Sequence, residues 1–166
     1  MKLTDYEFHP QHNLVNMKIY LDDNRTPLDN SWIVVRDYVQ FVNTITSIGD
    51  LSSIELISFD HDLGITAIDE YFKNVIPNYL LNYDNITELT GYDCIKWLIN
   101  YYYETNPDRL DMDRKHKKVL PLEFPLVRVH SANPIGGANI IGYANNFYKN
   151  EGKEMAAHYQ KVEHTI

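Results

Sequence analysis

Ile54-Glu55-Leu56-Ile57-Ser58-Phe59-Asp60-His61-Asp62-Leu63-Gly64 is the stretch on which the reading of this chain turns. Its first six residues form a short, mostly apolar run, and their length and composition favour a buried strand over a helix. Three ionisable side chains in succession then cut the run off. Such a triplet would ruin a core, so Asp60-His61-Asp62 belongs where a strand emerges at the edge of a sheet.

The same pattern recurs on both sides. Met17 to Leu21 (MKIYL) is a short apolar run stopped by Asp22-Asp23, and Asn24-Arg25-Thr26-Pro27 supplies turn chemistry behind it. Pro125 to His130 (PLVRVH) is a third run, followed by Ser131-Ala132-Asn133-Pro134-Ile135-Gly136-Gly137. Helical signals lie between. Trp32, Val35, Val39 and Val42 recur at spacings of three and four, which predicts an amphipathic helix from Trp32 to about Ser47, closed by Gly49 and Asp50. From Gly91, the residues Cys94, Trp97, Leu98 and Tyr101 or Tyr102 mark a second helix ending near Asn106-Pro107. Asn139 to Tyr148 reads as a third, with Ile140, Ile141, Ala144 and Phe147 on one face. Residues 65–90 are rich in Tyr, Asn and Ile. They are weakly helical on either side of Pro77 and are expected to form an insertion or lid. Residues 1–16 read as an extended lead-in, and residues 151–166 as a short last helix or a tail.

Strand and helix therefore alternate, which predicts an α/β sandwich with a mainly parallel sheet in one domain over residues 1–166, its core at about 17–149. Right-handed crossovers place the strand C-terminal ends on one edge. Three strands are few for such a sheet, and others are expected in residues 1–16 or 115–122.

Composition narrows the function classes. The 166 residues are 44% hydrophobic and 23% charged, ordinary values that exclude disorder, coiled coil and collagen. Cys94 is the single cysteine, so neither an internal disulfide nor a thiolate zinc cluster is available, and its place on an apolar stripe makes it core rather than a nucleophile. The start, MKLTDYEFHPQHN, lacks the apolar centre of a signal peptide, and no apolar run approaches the roughly 20 residues of a membrane span. A cytoplasmic protein with no membrane association is expected. The net charge of −8, from 23 acidic and 15 basic residues, opposes the holding of long nucleic acid by phosphate neutralisation. The basic cluster Arg114-Lys115-His116-Lys117-Lys118 reads as a solvated loop.

Ligands of open parallel sheets bind outside the carboxyl ends of the strands. Asp22 and Asp23, then Asp60, His61 and Asp62, then His130, Ser131 and Asn133 are therefore expected in one crevice. Four carboxylates packed together raise one another's pKa values, and a divalent cation relieves that repulsion. Asp22, Asp23, Asp60 and Asp62 are the expected ligands, with Mg2+ or Mn2+ the leading metals and Zn2+ the third candidate. Each fragment also has a plainer reading. Asp22-Asp23 would serve as a turn or cap, His130 as a core histidine with both nitrogens satisfied, and Asn133-Pro134 as a loop that opens a helix. Recurrence at three strand ends favours a site. Arg25 either grips a phosphate oxygen or pairs with Asp23 or Asp29. Asn133 and Gly136 would bring backbone N–H groups at a helix start to a phosphate. Arg128 alternates with His130 and is expected to be paired or at the crevice mouth. Tyr71, Phe72, Tyr79 and Tyr83 either stack on a base or pack over the sheet.

Taken as an ordered set between about Lys18 and Phe147, four motifs carry a resemblance: Leu21-Asp22-Asp23-Asn24-Arg25-Thr26-Pro27, Ser58-Phe59-Asp60-His61-Asp62-Leu63-Gly64, Gly91-Tyr92-Asp93-Cys94 and His130-Ser131-Ala132-Asn133-Pro134-Ile135-Gly136. The set resembles the cyclic-phosphate processing receiver-like family, relatives of response-regulator receiver domains. The resemblance implies a receiver/flavodoxin-like three-layer sandwich with a mainly parallel central sheet. It also implies action on cyclic phosphates, either RNA 2′,3′-cyclic ends or cyclic nucleotides. Carried over, Asp22 and Asp23 match the paired metal-binding acids of receivers. Asp60 falls near the phospho-acceptor, with His61 and Asp62 as the family's additions, and His130 and Ser131 replace a hydroxyl residue that ends a later strand. A final strand ending in the receiver Lys-Pro signature is missing, and residues 65–90 exceed a plain receiver connection. Both departures favour hydrolysis over phosphorelay.

The expectation is a metal-dependent hydrolase of cyclic phosphodiesters, with Asp60, His61 and His130 catalytic. His61, oriented by Asp62, would act as base and His130 as acid, or the reverse. Arg25, Ser131, Asn133 and Gly136 would hold the substrate. The alternative is a non-catalytic receiver-like module that binds or sequesters a cyclic nucleotide or a protein partner, and a third reading is a receiver phosphorylated on Asp60. No particular protein partner is indicated.

Overall fold

The computed structural model describes residues 16–111, 122–153 and 156–165. Along the chain run β1 (Met17–Leu21), β2 (Thr26–Pro27), β3 (Trp32–Val35), α1 (Tyr38–Ile48), β4 (Ile54–Phe59) and α2 (Ile65–Glu70). A π-helical turn over Tyr71–Val75 continues α2 into α3 (Ile76–Asn78). Then follow α4 (Gly91–Thr105), α5 (Asp108–Asp111), β5 (Leu126–Val129), α6 (Pro134–Asn150), β6 (His158–Tyr159) and β7 (His164–Thr165).

Five strands form one parallel sheet in the order β3-β1-β4-β5-β6. β2 and β7 make a separate antiparallel ribbon. From β1 the chain moves to one side to lay down β3, then returns to the other side for β4, β5 and β6. Strand order therefore reverses between β1 and β4, the place where open α/β sheets form their ligand crevice. This is the receiver-like, flavodoxin-type α/β fold expected from the sequence.

The central strands are covered on both faces, as parallel strands must be. Ile19, Leu21, Ile57, Phe59, Val127 and Val129 join Phe41 and Ile45 of α1, Ile95 and Leu98 of α4, and Ile140 and Ala144 of α6 in one apolar cluster. Cys94 lies fully buried within it. The opposite side of the strands is built differently, from Tyr20 and Ser58, both fully buried, and from the His130 ring stacked 4.2 Å from Tyr20. Among the described residues no helix is long and apolar enough to cross a membrane.

Three sequence expectations change. Trp32–Val35 is a strand, paired from Lys18↔Trp32 to Leu21↔Val35, and the helix begins only at Tyr38. The spacing of Trp32, Val35, Val39 and Val42 straddles two elements. The β-branched run Ile33-Val34-Val35 and the N-cap Asp37, whose carboxylate accepts from the Gln40 N–H at 2.8 Å, are the signals that prevail. Pro77 does not separate two helices. It lies in the last turn of a helical run from Ile65 to Asn78, which Tyr79 stops in the left-handed region at φ 53°. Within 151–166, expected as a short last helix or a tail, the described residues include the two short strands β6 and β7. The further strands expected in 1–16 or 115–122 fall largely outside the described residues, as does the Arg114–Lys118 cluster. The two additional strands of the main sheet are β3 and β6.

The first turn of α4 is pressed against the end of β4. The Gly91 N–H donates to the His61 carbonyl at 2.9 Å, and a Cβ at Gly91 would fall on the Asp60 carbonyl oxygen. Overpacking against backbone typically costs about 1–3 kcal/mol. Gly91→Ala is expected to lower the unfolding free energy by an amount in that range, seen as a lower urea midpoint with an unchanged m-value. A midpoint equal to that of the parent would show that α4 moves away freely.

Candidate functional site

Asp22, the first residue past β1, has no exposed surface and is saturated with donors. Its Oδ1 accepts from the backbone N–H groups of Asn24 (3.0 Å) and Arg25 (2.6 Å). Its Oδ2 accepts from Arg25 Nε (2.6 Å), His130 Nε2 (3.1 Å) and the Tyr20 hydroxyl (3.3 Å). Burial alone would raise the Asp22 pKa. The bonds from His130 and the Arg25 and Asn24 amides outweigh it and bring the value to about 2. Arg25 continues to Asp60, the first residue past β4, through Nη2 at 2.9 Å. One guanidinium thus bridges the acids of two neighbouring strand ends. Arg36, just beyond β3, fixes the same loop by donating to the carbonyls of Asp22 (3.0 Å) and Arg25 (2.6 Å) and to Thr26 Oγ1 (2.7 Å).

A second chain of hydrogen bonds runs behind Asp62. A carboxylate only accepts, so His61 Nδ1 carries the proton it donates to Asp62 Oδ1 at 2.6 Å. His61 Nε2 then accepts from the Tyr83 hydroxyl at 3.0 Å, and Tyr83 in turn accepts from Asn139 Nδ2 at 2.9 Å. Asn133, the N-cap of α6, donates from Nδ2 to Asp62 Oδ1 at 3.1 Å and accepts from the Gly136 N–H at 2.9 Å. Position 136 must lack a side chain, because a Cβ there would enter the His61 ring.

A cavity of about 210 Å³ opens at the β1–β4 switch point. Asp22, Asp23, Asn24, Arg25, Asp60 and Asp62 line it together with Ile68, Tyr71, Phe72 and Ala132. Ligand atoms of Asp22, Asp23 and Asp60 lie within 4.8 Å of one another. Asp23 is raised from an ordinary 3.8 to about 6 by partial burial and then by the charges of Asp60 and Asp22. Asp60 is also raised, by burial above all, with Arg25 opposing and the Asp22 charge reinforcing the shift. These two carboxylates carry the repulsion that Arg25 leaves uncompensated, and hard oxygen donors in that condition suit a divalent cation.

The strand ends thus bring together all of the predicted acids, but the predicted roles divide. Neither His61 nor His130 lines the cavity. His61 is fully buried with both ring nitrogens bonded, and His130 is held between Asp22 and Ser58 Oγ (2.7 Å to Nδ1). Arg25 pairs with Asp22 and Asp60 rather than with Asp23 or Asp29, and Asp29 pairs with Lys18 at 3.0 Å. The Asn133 side chain and the Gly136 N–H bond each other, while Ser131 Oγ accepts from the Asn133 N–H at 3.2 Å and the Ser131 side chain reaches Asp60. Arg128 donates to the carbonyls of Val127 and Ala156 and does not line the cavity. Sequence reasoning passed over Tyr20, Ser58, Arg36 and Asn139. The only signal for Tyr20 and Ser58 was position, because each lies two residues before an acid on a strand that otherwise has no use for a hydroxyl.

The raised Asp23 value has a signed consequence. The folded state holds this proton more tightly than the unfolded state, so the penalty is absent below about pH 4 and grows as pH rises through about 6. Asp23→Asn, in EDTA, is expected to stabilise the fold at pH 7.5 by on the order of 1 kcal/mol after allowing for solvent screening, seen as a higher melting temperature, and to change little at pH 4. Thermal melts at the two pH values check this, and a gain that is the same at both would refute it.

No curated protein and no solved structure matches the chain significantly. A family model, the cyclic-phosphate processing receiver domain, matches residues 17–146, from the start of β1 to within α6. With that match covering both switch-point strands and every acid of the cavity, the chain belongs to the cyclic-phosphate processing receiver domain family.

Proposed function

We propose that this protein is a metal-dependent hydrolase that opens the cyclic phosphodiester of a nucleotide or of an RNA end. The observation that carries the reading is the grouping of Asp22, Asp23 and Asp60 around one point beside Arg25, at the switch point of the sheet. Asp23 and Asp60, backed by Asp22 and faced by Asp62, would hold Mg2+ or Mn2+, with Zn2+ as the further candidate. A divalent cation bound there supplies charge neutralisation and polarises phosphoryl oxygens and water.

The protein's own groups divide the remaining work. Arg25 holds Asp22 and Asp60 in place and presents positive charge to the phosphate at the cavity wall. Asp62 faces the cavity and accepts the proton of the attacking water, whose oxygen joins phosphorus as one ring P–O bond breaks. His61, anchored by Tyr83, keeps the Asp62 carboxylate oriented, so the imidazole acts from behind the acid. His130 does the same for Asp22. Solvent at the mouth returns the proton to the leaving oxygen.

Purified protein offered nucleoside 2′,3′- and 3′,5′-cyclic monophosphates with Mg2+ or Mn2+ is expected to open the ring, and EDTA to stop it. Asp60→Ala should abolish turnover, and Asp62→Asn should lower kcat by about 10²-fold or more with the fold intact. Unchanged kcat in a well-folded Asp62→Asn variant would remove that residue from the reaction.

The full engagement of both histidines favours a second reading, a module that binds or sequesters a cyclic nucleotide without cleaving it. Stoichiometric depletion of a cyclic nucleotide, with intact ligand recovered after denaturation, would establish that case.

A further inference from the structure

Part of the lining of the cavity is apolar and aromatic, and it bears on what the cyclic phosphate is attached to. Ile68, Tyr71 and Phe72 form this part of the wall. Phe72 is 63% exposed at the mouth, a cost for a side chain that gains from burial. Tyr71 meets it edge to face, with ring centroids 5.3 Å apart at 64°, and so braces the ring. Both residues open the π-helical turn, in which the Ile76 N–H reaches back to the Tyr71 carbonyl. Turns of this kind recur at functional sites.

The wall is fixed rather than loose. Glu70, buried at the junction of α2 and the π turn, accepts from Asn74 Nδ2 and Asn85 Nδ2 at 2.8 Å and from the Asn82 N–H at 2.9 Å. Glu88 reaches back to α2, where its carboxylate accepts from the Ala67 N–H at 2.8 Å and from the Thr66 hydroxyl. Residues 82–88 thereby hold α2 and its aromatic pair in place before any ligand arrives.

We propose that Phe72, braced by Tyr71, is a base-stacking platform. The ligand is then a nucleotide whose base lies on Phe72 while its cyclic phosphate faces Arg25 and the carboxylates. This rests on the cyclic-phosphate reading of the same cavity. An aromatic face accepts any base, because every base has a π-face. Ile68 and Phe72 offer a base no polar atom, so stacking on them favours purines over pyrimidines through area. Among the described residues Arg25 is the one cation lining the cavity, which suits one terminal or free nucleotide and not a tracked strand.

The test is equilibrium binding to the full chain with Mg2+ present, using slowly hydrolysed cyclic phosphorothioates of adenosine, uridine and glycerol. The adenosine ligand is expected to bind at least tenfold more tightly than the base-free glycerol ligand, with uridine between them. Phe72→Ala should weaken the adenosine ligand about tenfold or more and shift the glycerol ligand less than twofold, while Phe72→Trp retains adenosine affinity. A trinucleotide ending in a 2′,3′-cyclic phosphate separates the sources: tighter binding than the mononucleotide assigns an RNA end, and weaker binding a free nucleotide. Equal affinity for adenosine and glycerol ligands, absence of nucleotide binding, or an unchanged adenosine affinity in Phe72→Ala overturns the platform. Turnover is scored separately. Base discrimination without any ring opening retires the hydrolase reading and leaves the platform standing.

Discussion

Five hydrogen bonds converge on the Asp22 carboxylate, and the rest of the site is arranged around them. A fully buried carboxylate is unfavourable unless it is paired and satisfied. Asp22 meets both conditions by drawing in Arg25 from its own loop, His130 from the end of β5 and Tyr20 from its own strand. Because Arg25 also reaches Asp60, the satisfaction of one acid fixes the position of the next. The ends of β1, β4 and β5 are thereby held at a common point by charge as well as by the sheet ladder.

This economy explains why the imidazoles stand behind the acids. A parallel sheet buried on both faces leaves little room at its carboxyl edge, and side chains that must be desolvated there do best as partners to one another. His61 fills the space that the absent side chain of Gly136 leaves and meets Tyr83 on its far side, while Asp62 turns to the cavity. His130 is sandwiched by Tyr20 and fastened by Ser58. Each histidine trades access for a single fixed orientation, which it passes on to a carboxylate. Those carboxylates present a rigid face to whatever enters.

Much of this was legible in the chain. The abrupt stops at Asp22-Asp23 and Asp60-His61-Asp62 announce strand ends because ionisable groups cannot continue a buried strand, and all four acids line the cavity. The roles of the histidines were not legible. A His that bonds a neighbouring carboxylate and a His that faces solvent look alike in sequence, and the difference depends on Tyr83, Asn139 and Ser58, far away along the chain. The reading of Trp32 failed for a topological reason. Parallel strands are usually joined through a helix, yet here the crossover from β1 to β3 is only the short segment from Asp22 to Ser31. No helix lies in it, so the spacing of three and four spans a strand and the following helix.

That short crossover also sets an order of events. Its outer limb, β2, is paired with β7, Thr26 opposite Thr165 and Pro27 opposite His164, and the Leu28 N–H bonds the Glu163 carbonyl at 2.9 Å. The loop that carries Asp22, Asp23 and Arg25 is thus closed by residues nearly 140 positions further on, a contact whose loop entropy must be met before it stabilises anything. The sheet and its helices can assemble from more local contacts first, and β2 is clasped only when residues 164 and 165 dock. During synthesis the pairing of β2 must wait for residues 164 and 165, made nearly 140 positions after it. The β2–β7 pairing is thus a brace added to a loop whose acids Arg25 and His130 hold directly.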